Sequence, residues 1–446
     1  MKVLLINFKD SGGGAAIASM RLVQALNDAG VEAVLAVPKK TCDSPYVIEL
    51  PRKRRGFFVK LARWLGNYVG NILFQVFDPV VSRIPFHPFR FTTTNGIFHT
   101  KNFVSETDSD VAWINRSDFD VVNLHWINDI VCTKDIARIK KPLVWTMHDS
   151  WPCCGAEHHP NVMEGDKRWQ EGYWRRNKPA TTHGIDLCRK VWKQKRRYLA
   201  KKDIVFTAPS RWEREVLMTS ALFKEKTCFL APNIMDHASF YPRDRRLVRK
   251  LFGIPEDKKV IAFGAAGDMD GPKAMKGSSL LFDALRALCD PEQYFLLVFG
   301  PVGPAFKEAI TIPYFAAGYI ASPQMLACLY SASDVFVNCS IIESFSYTCL
   351  EAASCAVPAV AFDVGGTGCL IEHERTGYLA RPYEPEDIAR GIAFCQERRD
   401  ELGAQALKKS RQEFSTPAAI QAYLAAYTAA MNRAGSHTGG GGHDGQ

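Results

Sequence analysis

The sequence predicts an α/β protein built from two doubly wound, parallel-sheet domains. Two observations carry that prediction. Short apolar runs alternate with helical patterns along the chain, as parallel strands joined by crossover helices require. The alternation also comes in two series, separated by Pro232-Asn233 and a join near residues 234–245. The length agrees, since 446 residues make two or three domains at ~100–200 residues each. A composition of 47% hydrophobic and 23% charged residues supplies apolar material for large cores. It excludes a chain dominated by disorder or fibrous repeats.

In the first series, the run at 2–8 suits a buried parallel strand. Ser11-Gly12-Gly13-Gly14 follows as a glycine turn, then a helical pattern at 15–27 and a second strand at 31–37. Further strand-like runs lie at 121–126, 143–147 and 204–208. In the second series the strands are expected at 260–264, 295–300, 335–338 and 359–362, with helical patterns at 276–288, 323–331, 346–355 and 385–396. The expected domains are therefore 1–235 and 236–412. A last helix within 413–433 is free to pack anywhere, including back across the first domain.

Two stretches depart from the scheme. Residues 52–90 open RKRRGFFVKLARWLGNYVGNILFQVF, basic first and then aromatic and apolar. That suits an amphipathic element on an anionic membrane surface, or equally a core-facing helical insertion with a solvated charge run. The glycine-rich tail, 434–446, reads as a flexible, low-complexity segment and is set aside from fold reasoning.

A net charge of +9 favours anionic partners, with nucleotide, nucleic acid and anionic lipid all open. The N-terminal apolar run is too short for a signal-peptide core, and no run of 18 uncharged apolar residues suggests a membrane span. Thirteen cysteines without framework spacing point to reduced thiols and a cytoplasmic setting.

The strongest chemical signal is ESFSYTCLE, which runs from Glu343 to Glu351 and sets two carboxylates eight positions apart where a strand gives way to a helix. Glu343 then lies in the loop, and Glu351 about five residues inside the helix, ~7–8 Å further along at 1.5 Å per residue. Both can line one ligand whose phosphates rest on the free amides of Ser346, Tyr347 and Thr348 at the helix start. Alone, such a pair is more often a solvated capping acid and a helix-face acid.

The surrounding segment, GYIASPQMLACLYSASDVFVNCSIIESFSYTCLEAASCAVPAVAFDVGG from Gly318 to Gly366, resembles the donor-binding half of the retaining GT-B glycosyltransferases of family four (group 1). The resemblance covers most of 258–395 with its motifs in order. It implies two Rossmann-like domains facing across a cleft and a nucleotide-sugar donor used as substrate, with no cofactor. Glu343 is then expected to hydrogen-bond the donor sugar, Glu351 the ribose, and the amides near Ser346 and Tyr347 the diphosphate. Tyr319 and Ile320 are expected beside the base. Lys276, of Lys276-Gly277, matches a family lysine that stabilises charge on the departing diphosphate. The family's arginine position holds Ala265 or Ala266, and Lys273 is the nearest replacement.

In the first domain, Gly12, Gly13 and Gly14 permit close approach of a phosphate. The dinucleotide fingerprint is missing, which disfavours a nicotinamide cofactor. In the family this loop faces the donor phosphate. His125 and His148 fall at strand ends. By resemblance His125 contacts the donor sugar, while His148 and Asp149 shape the acceptor side. Residues 148–188 are rich in His and Cys, but Cys153-Cys154 and His158-His159 lack the usual ligand gaps, so no metal is expected.

The resemblance implies front-face transfer with retention, without a covalent glycosyl-enzyme. The expected acceptor is a glycan or lipid-linked glycan at the inner membrane face, in a surface-polysaccharide pathway, with peripheral membrane contact. A soluble acceptor is the next choice. The rivals are an epimerase or phosphorylase on the same fold and a non-catalytic nucleotide-sugar-binding protein. No recognition-helix or aromatic-platform motif for nucleic acid is present.

Overall fold

The computed structural model describes residues 1–52, 91–92, 109–128, 130–160, 165–180, 185–264 and 275–438. The basic, aromatic stretch beyond Arg52, together with Ala265, Ala266, Lys273 and the end of the tail, lies outside the described residues.

The first domain is a seven-stranded parallel sheet. Its strands are β1 (Lys2–Ile6), β2 (Glu32–Val37), β3 (Val47–Glu49), β5 (Val121–Leu124), β6 (Leu143–Thr146), β8 (Val205–Ala208) and β9 (Cys228–Leu230), in the order β3-β2-β1-β5-β6-β8-β9. Two short segments, β4 (Phe91–Thr92) and β7 (Ile185–Asp186), pair separately. The second domain is a six-stranded parallel sheet of β10 (Lys259–Gly264), β11 (Tyr294–Phe299), β12 (Tyr314–Ala316), β13 (Val335–Asn338), β14 (Ala359–Phe362) and β15 (Gly377–Ala380), ordered β12-β11-β10-β13-β14-β15.

Interior strands such as β5, β6, β8 and β13 are buried at every position, because helices cover both faces. Each sheet has its strand order reversed beside its first strand. In the first the switch falls between β1 and β5, where Ile6 pairs with Leu124. In the second it falls between β10 and β13, where Phe263 pairs with Val337. Connections leave in opposite directions there and open a crevice at the carboxyl ends of the strands. The loops after β1, β5, β10 and β13 carry Gly12–Gly14, His125, Lys276 and Glu343, so the fold brings the motifs to the two crevices.

The last helix, Thr416–Thr438, returns to the first domain. Its Ala419, Ile420, Tyr423, Ala426, Tyr427 and Ala430 pack on the β1, β2, β5, β6 and β8 face. Buried Asn123 on β5 donates to the Tyr427 hydroxyl at 2.9 Å, which fixes the register of that crossing. The helix therefore ties the end of the chain to the domain that begins it.

Candidate functional site

Lys276 and Glu343 form the centre of the site. The lysine Nζ lies 2.6 Å from Glu343 Oε1, and Ser340 donates to the same oxygen at 2.8 Å. The lysine side chain is 37% exposed and the glutamate side chain 12%, so the cation is the more open of the two. Gly277, next to the lysine, has φ +66, and a β-carbon there would overlap the Cys339 carbonyl at the end of β13. Only glycine lets the lysine-bearing turn close against that strand end.

Glu343 is held from behind. Its carbonyl accepts from the Gly366 amide at 2.6 Å. Gly365 has φ +58, and a β-carbon on it would overlap the same carbonyl. The turn after β14, Asp363–Gly366, is thus the seat of the Glu343 loop.

The helix Tyr347–Ser354 begins directly after this loop. Ser346 is its N-cap, accepting from the Cys349 amide at 3.4 Å and from Asn338 Nδ2 at 2.9 Å. The Ser346 hydroxyl is therefore engaged within the protein, and the group it leaves for a ligand is the backbone. First-turn amides have no intrahelical acceptor, so those of Tyr347 and Thr348 are left at the positive end of the helix. Across the cleft, a β-carbon on Gly14 would touch the Tyr347 ring at 3.8 Å, so the glycine loop faces the helix start.

Glu351 is buried and accepts from Tyr330 Oη at 3.1 Å. Burial pushes its carboxyl up to about 7, against the opposing pull of Arg21 and of the tyrosine hydrogen bond. Tyr319 and Ile320 part company: the tyrosine is 67% exposed, whereas Ile320 packs against the core of the second domain. Of the two, the tyrosine ring is the one free to stack on a base.

In the first domain, His125 Nδ1 lies 2.9 Å from His148 Nε2, with the rings stacked at 5.1 Å. Burial holds both histidines low, His148 at about 4. Each is therefore neutral at pH 7 and acts by hydrogen bonding rather than by charge. Among the described residues, His125 Nε2 is buried without a partner, as is Trp151 Nε1. Both residues line a cavity of about 10 Å³, room for roughly one water.

Asp149 has its oxygens occupied. It accepts from Trp126 Nε1 at 2.8 Å, from the Trp151 amide at 3.0 Å and from His158 Nδ1 at 2.6 Å. Burial alone would raise its carboxyl, but His158 and His159 hold it well below the usual carboxylate range. It fixes the loop 149–158 by tying Trp151 and His158 together. The same loop is braced by the buried Lys195 ammonium, which donates to the carbonyls of Trp151, Cys154 and Gly155. Cys153, Cys154 and Cys188 are buried thiols pushed upward by desolvation. Among the described residues no group of three or more His, Cys, Asp or Glu is arranged to hold a metal ion.

Three residues of the site escape sequence reasoning. Arg21 donates to the Ile234 carbonyl at 3.1 Å and lies 5.1 Å over the Tyr347 ring, joining the first helix to the interdomain join and to the donor-side helix. His159 has a buried Nδ1 without a partner among the described residues and feels Glu343 and Lys276 across the cleft. Glu213, fully buried, accepts from Ser150 of its own domain at 3.1 Å and from Ser344 of the other domain. Each reaches across the domain boundary, which no local motif announces. The one sequence trace is S-x-x-E at Ser210–Glu213, a helix-start pattern.

Residues 260–397 match the family model described as glycosyl transferases group 1. Among named relatives, a D-inositol 3-phosphate glycosyltransferase of Geodermatophilus obscurus is 30% identical over 221 residues, 46% of this chain and 48% of that protein. One of the same name from Mycobacteroides abscessus is 29% identical over 202 residues, 43% and 44% of the two chains. These matches span about half the length of the relatives. Among solved structures, Alr3699/HepE from Anabaena in complex with UDP and glucose superposes with a TM-score of 0.62 at 16% identity, covering 96% of this chain and 100% of that one. Sucrose-phosphate synthase from Thermosynechococcus elongatus gives 0.63 at 17% identity, covering 98% of each. At such identities the likeness is one of fold. Two parallel-sheet lobes facing across a cleft give this chain the GT-B fold, and its second lobe holds the segment that matches the group 1 glycosyl transferase model.

Proposed function

We propose that the protein transfers a sugar from a nucleoside-diphosphate donor to a hydroxyl acceptor, with retention at the anomeric carbon and without a metal ion or cofactor. The observation that carries this reading is the Lys276–Glu343 pair beside the helix start at Tyr347. One cation and a row of free amides face the place where a diphosphate gains negative charge. A carboxylate stands next to them at hydrogen-bonding height for sugar hydroxyls. The UDP held by the Anabaena structure makes uridine nucleotides the first donors to test.

The chemistry follows from those groups. Breaking the sugar–phosphate bond leaves oxocarbenium character on the sugar and a full charge on the diphosphate. Lys276 and the amides of Tyr347 and Thr348 stabilise that charge, with no reorganisation needed as it develops. Glu343, neutralised by Lys276, positions the sugar hydroxyls and is not the nucleophile. Neutral His125 offers a hydrogen bond near the sugar from the opposite lobe. The leaving phosphate oxygen takes the acceptor proton on the same face, which retains configuration.

The acceptor enters along the 148–159 loop. A glycan or lipid-linked glycan at the inner membrane face fits the basic stretch that begins at Arg52. The relatives' name favours a small phosphorylated polyol instead. Among the described residues, no helix is long and apolar enough to cross a membrane.

The test is release of nucleoside diphosphate from a panel of nucleotide sugars with and without candidate acceptors, and the anomeric configuration of the product by NMR. Acceptor-dependent release with retained configuration, unchanged by EDTA, is expected. An inverted product, or loss of activity on chelation, would overturn the mechanism.

A further inference from the structure

We propose that Glu213 is a positioning residue for the transfer reaction: it latches the first domain onto Ser344 and so sets Glu343 when the lobes meet. This rests on the reading of Glu343 as the group that holds the donor sugar.

The local structure shows a side chain diverted from its ordinary task. Ser210 caps the helix Arg211–Thr219, accepting from the Glu213 amide at 3.2 Å. In a capping box the acid at this position turns back to the N-cap amide. Here its oxygens are spent on Ser150 Oγ, at 3.1 and 3.2 Å, and on Ser344 Oγ in the other lobe. Ser344 directly follows Glu343. The segment 343–344 is thus gripped twice: at its carbonyls by Gly365 and Gly366 of its own lobe, and at the Ser344 hydroxyl by Glu213 of the facing one. A β-carbon on Gly366 would also come within 2.8 Å of Ser210 Oγ, so the helix start carrying Glu213 presses on the same turn. Opening the cleft must break the Glu213–Ser344 bond and release one side of the Glu343 loop.

The latch is sensitive to proton concentration. The titratable groups facing Glu213 are the Asp149 carboxylate and the thiols of Cys153, Cys154 and Cys228. On the second lobe the neighbouring acid is Glu343, whose charge Lys276 balances. Burial, with Asp149 adding to it, pushes the Glu213 carboxyl up to about 8 from 4.5. With the lobes together the acid is neutral at pH 7; once exposed it ionises near 4.5. Lobe contact is therefore strongest at low pH and weakens as pH rises from about 4.5 to about 8, by up to ~10-fold per unit, then levels off.

The experiment uses the full chain as wild type, Glu213→Gln and Glu213→Ala. Amide exchange of peptides covering 340–346, corrected for intrinsic rates, reports the loop without reference to catalysis. In parallel, kcat and donor KM are measured from pH 6 to 8.5. In the wild type, exchange in 340–346 is expected to speed up between pH 6 and 8.5. Glu213→Ala is expected to exchange faster at all pH values, with kcat down by about 10-fold or more. Glu213→Gln, an uncharged isostere, restores slow exchange and kcat, and its kcat relative to wild type rises as pH increases. Glu351 and His148 titrate in both proteins and cancel from that ratio. Wild-type exchange that does not change with pH, a Gln variant no better than Ala, or a pH-independent ratio would each overturn the latch. If the wild type transfers no sugar yet the exchange pattern appears as stated, the latch stands and the transferase reading falls.

Discussion

Lys276→Ala is expected to slow sugar transfer by about 10²–10³-fold while leaving the fold intact. The size follows from removing one preorganised positive group from a developing oxyanion, typically ~3–4 kcal/mol of transition-state stabilisation. Little of that loss is structural. The lysine side chain is 37% exposed, and exposed ion pairs contribute only ~0–1 kcal/mol to stability. Glu343 keeps the Ser340 hydroxyl as a partner after the substitution, so no wholly unsatisfied carboxylate is left behind. The expected pattern is a large fall in kcat/KM, weaker binding of nucleoside diphosphate by calorimetry, and a melting temperature within a few degrees of wild type. Affinity and turnover within threefold of wild type would remove Lys276 from the diphosphate site.

Gly365→Ala is expected to damage both stability and activity. Its φ of +58 places an L-residue in the left-handed region, and the added carbon would overlap the Glu343 carbonyl oxygen. The backbone penalty alone is ~1–2 kcal/mol, and the overlap adds strain that only displacement of the Glu343 loop relieves. A total of about 2–4 kcal/mol is expected. A displacement of ~1 Å at the sugar-holding carboxylate costs about 10²-fold in rate. Thermal melting and steady-state kinetics measure the two effects together. A variant with unchanged melting and turnover would show that the turn after β14 does not seat Glu343.

The parts of the fold that were legible in the sequence share one physical property. β1, β2, β5, β6, β8, β10, β11, β13 and β14 lie inside their sheets and read as continuous apolar runs, because both faces are covered. The sequence misses β3, β9, β12 and β15, and these are the four edge strands of the two main sheets. They are short and partly exposed, with Tyr314 and Leu230 open to solvent, so no apolar run marks them. The last helix declares its period but not its destination. Its docking on the first domain depends on Tyr423 and Tyr427 meeting a sheet face more than 200 residues earlier, which local patterning does not encode.

The site divides along the same line. Glu343, Lys276, Ser346 and Glu351 belong to loops and a helix start contiguous with recognisable strands, so their approximate placement could be read. What could not be read is how the lobes touch. Glu213, Arg21 and His159 matter through partners more than 100 residues away, and a buried acid on an amphipathic helix looks in sequence like any solvated one. The partners of Asp149 were likewise invisible, because Trp126 and His158 come from different loops.

A crystal structure of the protein with a UDP-sugar tests the central claim most directly. The account predicts diphosphate oxygens within hydrogen-bonding distance of Lys276 Nζ and of the amides at Tyr347 and Thr348, with the sugar hydroxyls on Glu343. A nucleotide seated elsewhere, or a diphosphate that leaves Lys276 bound to Glu343 alone, would contradict it.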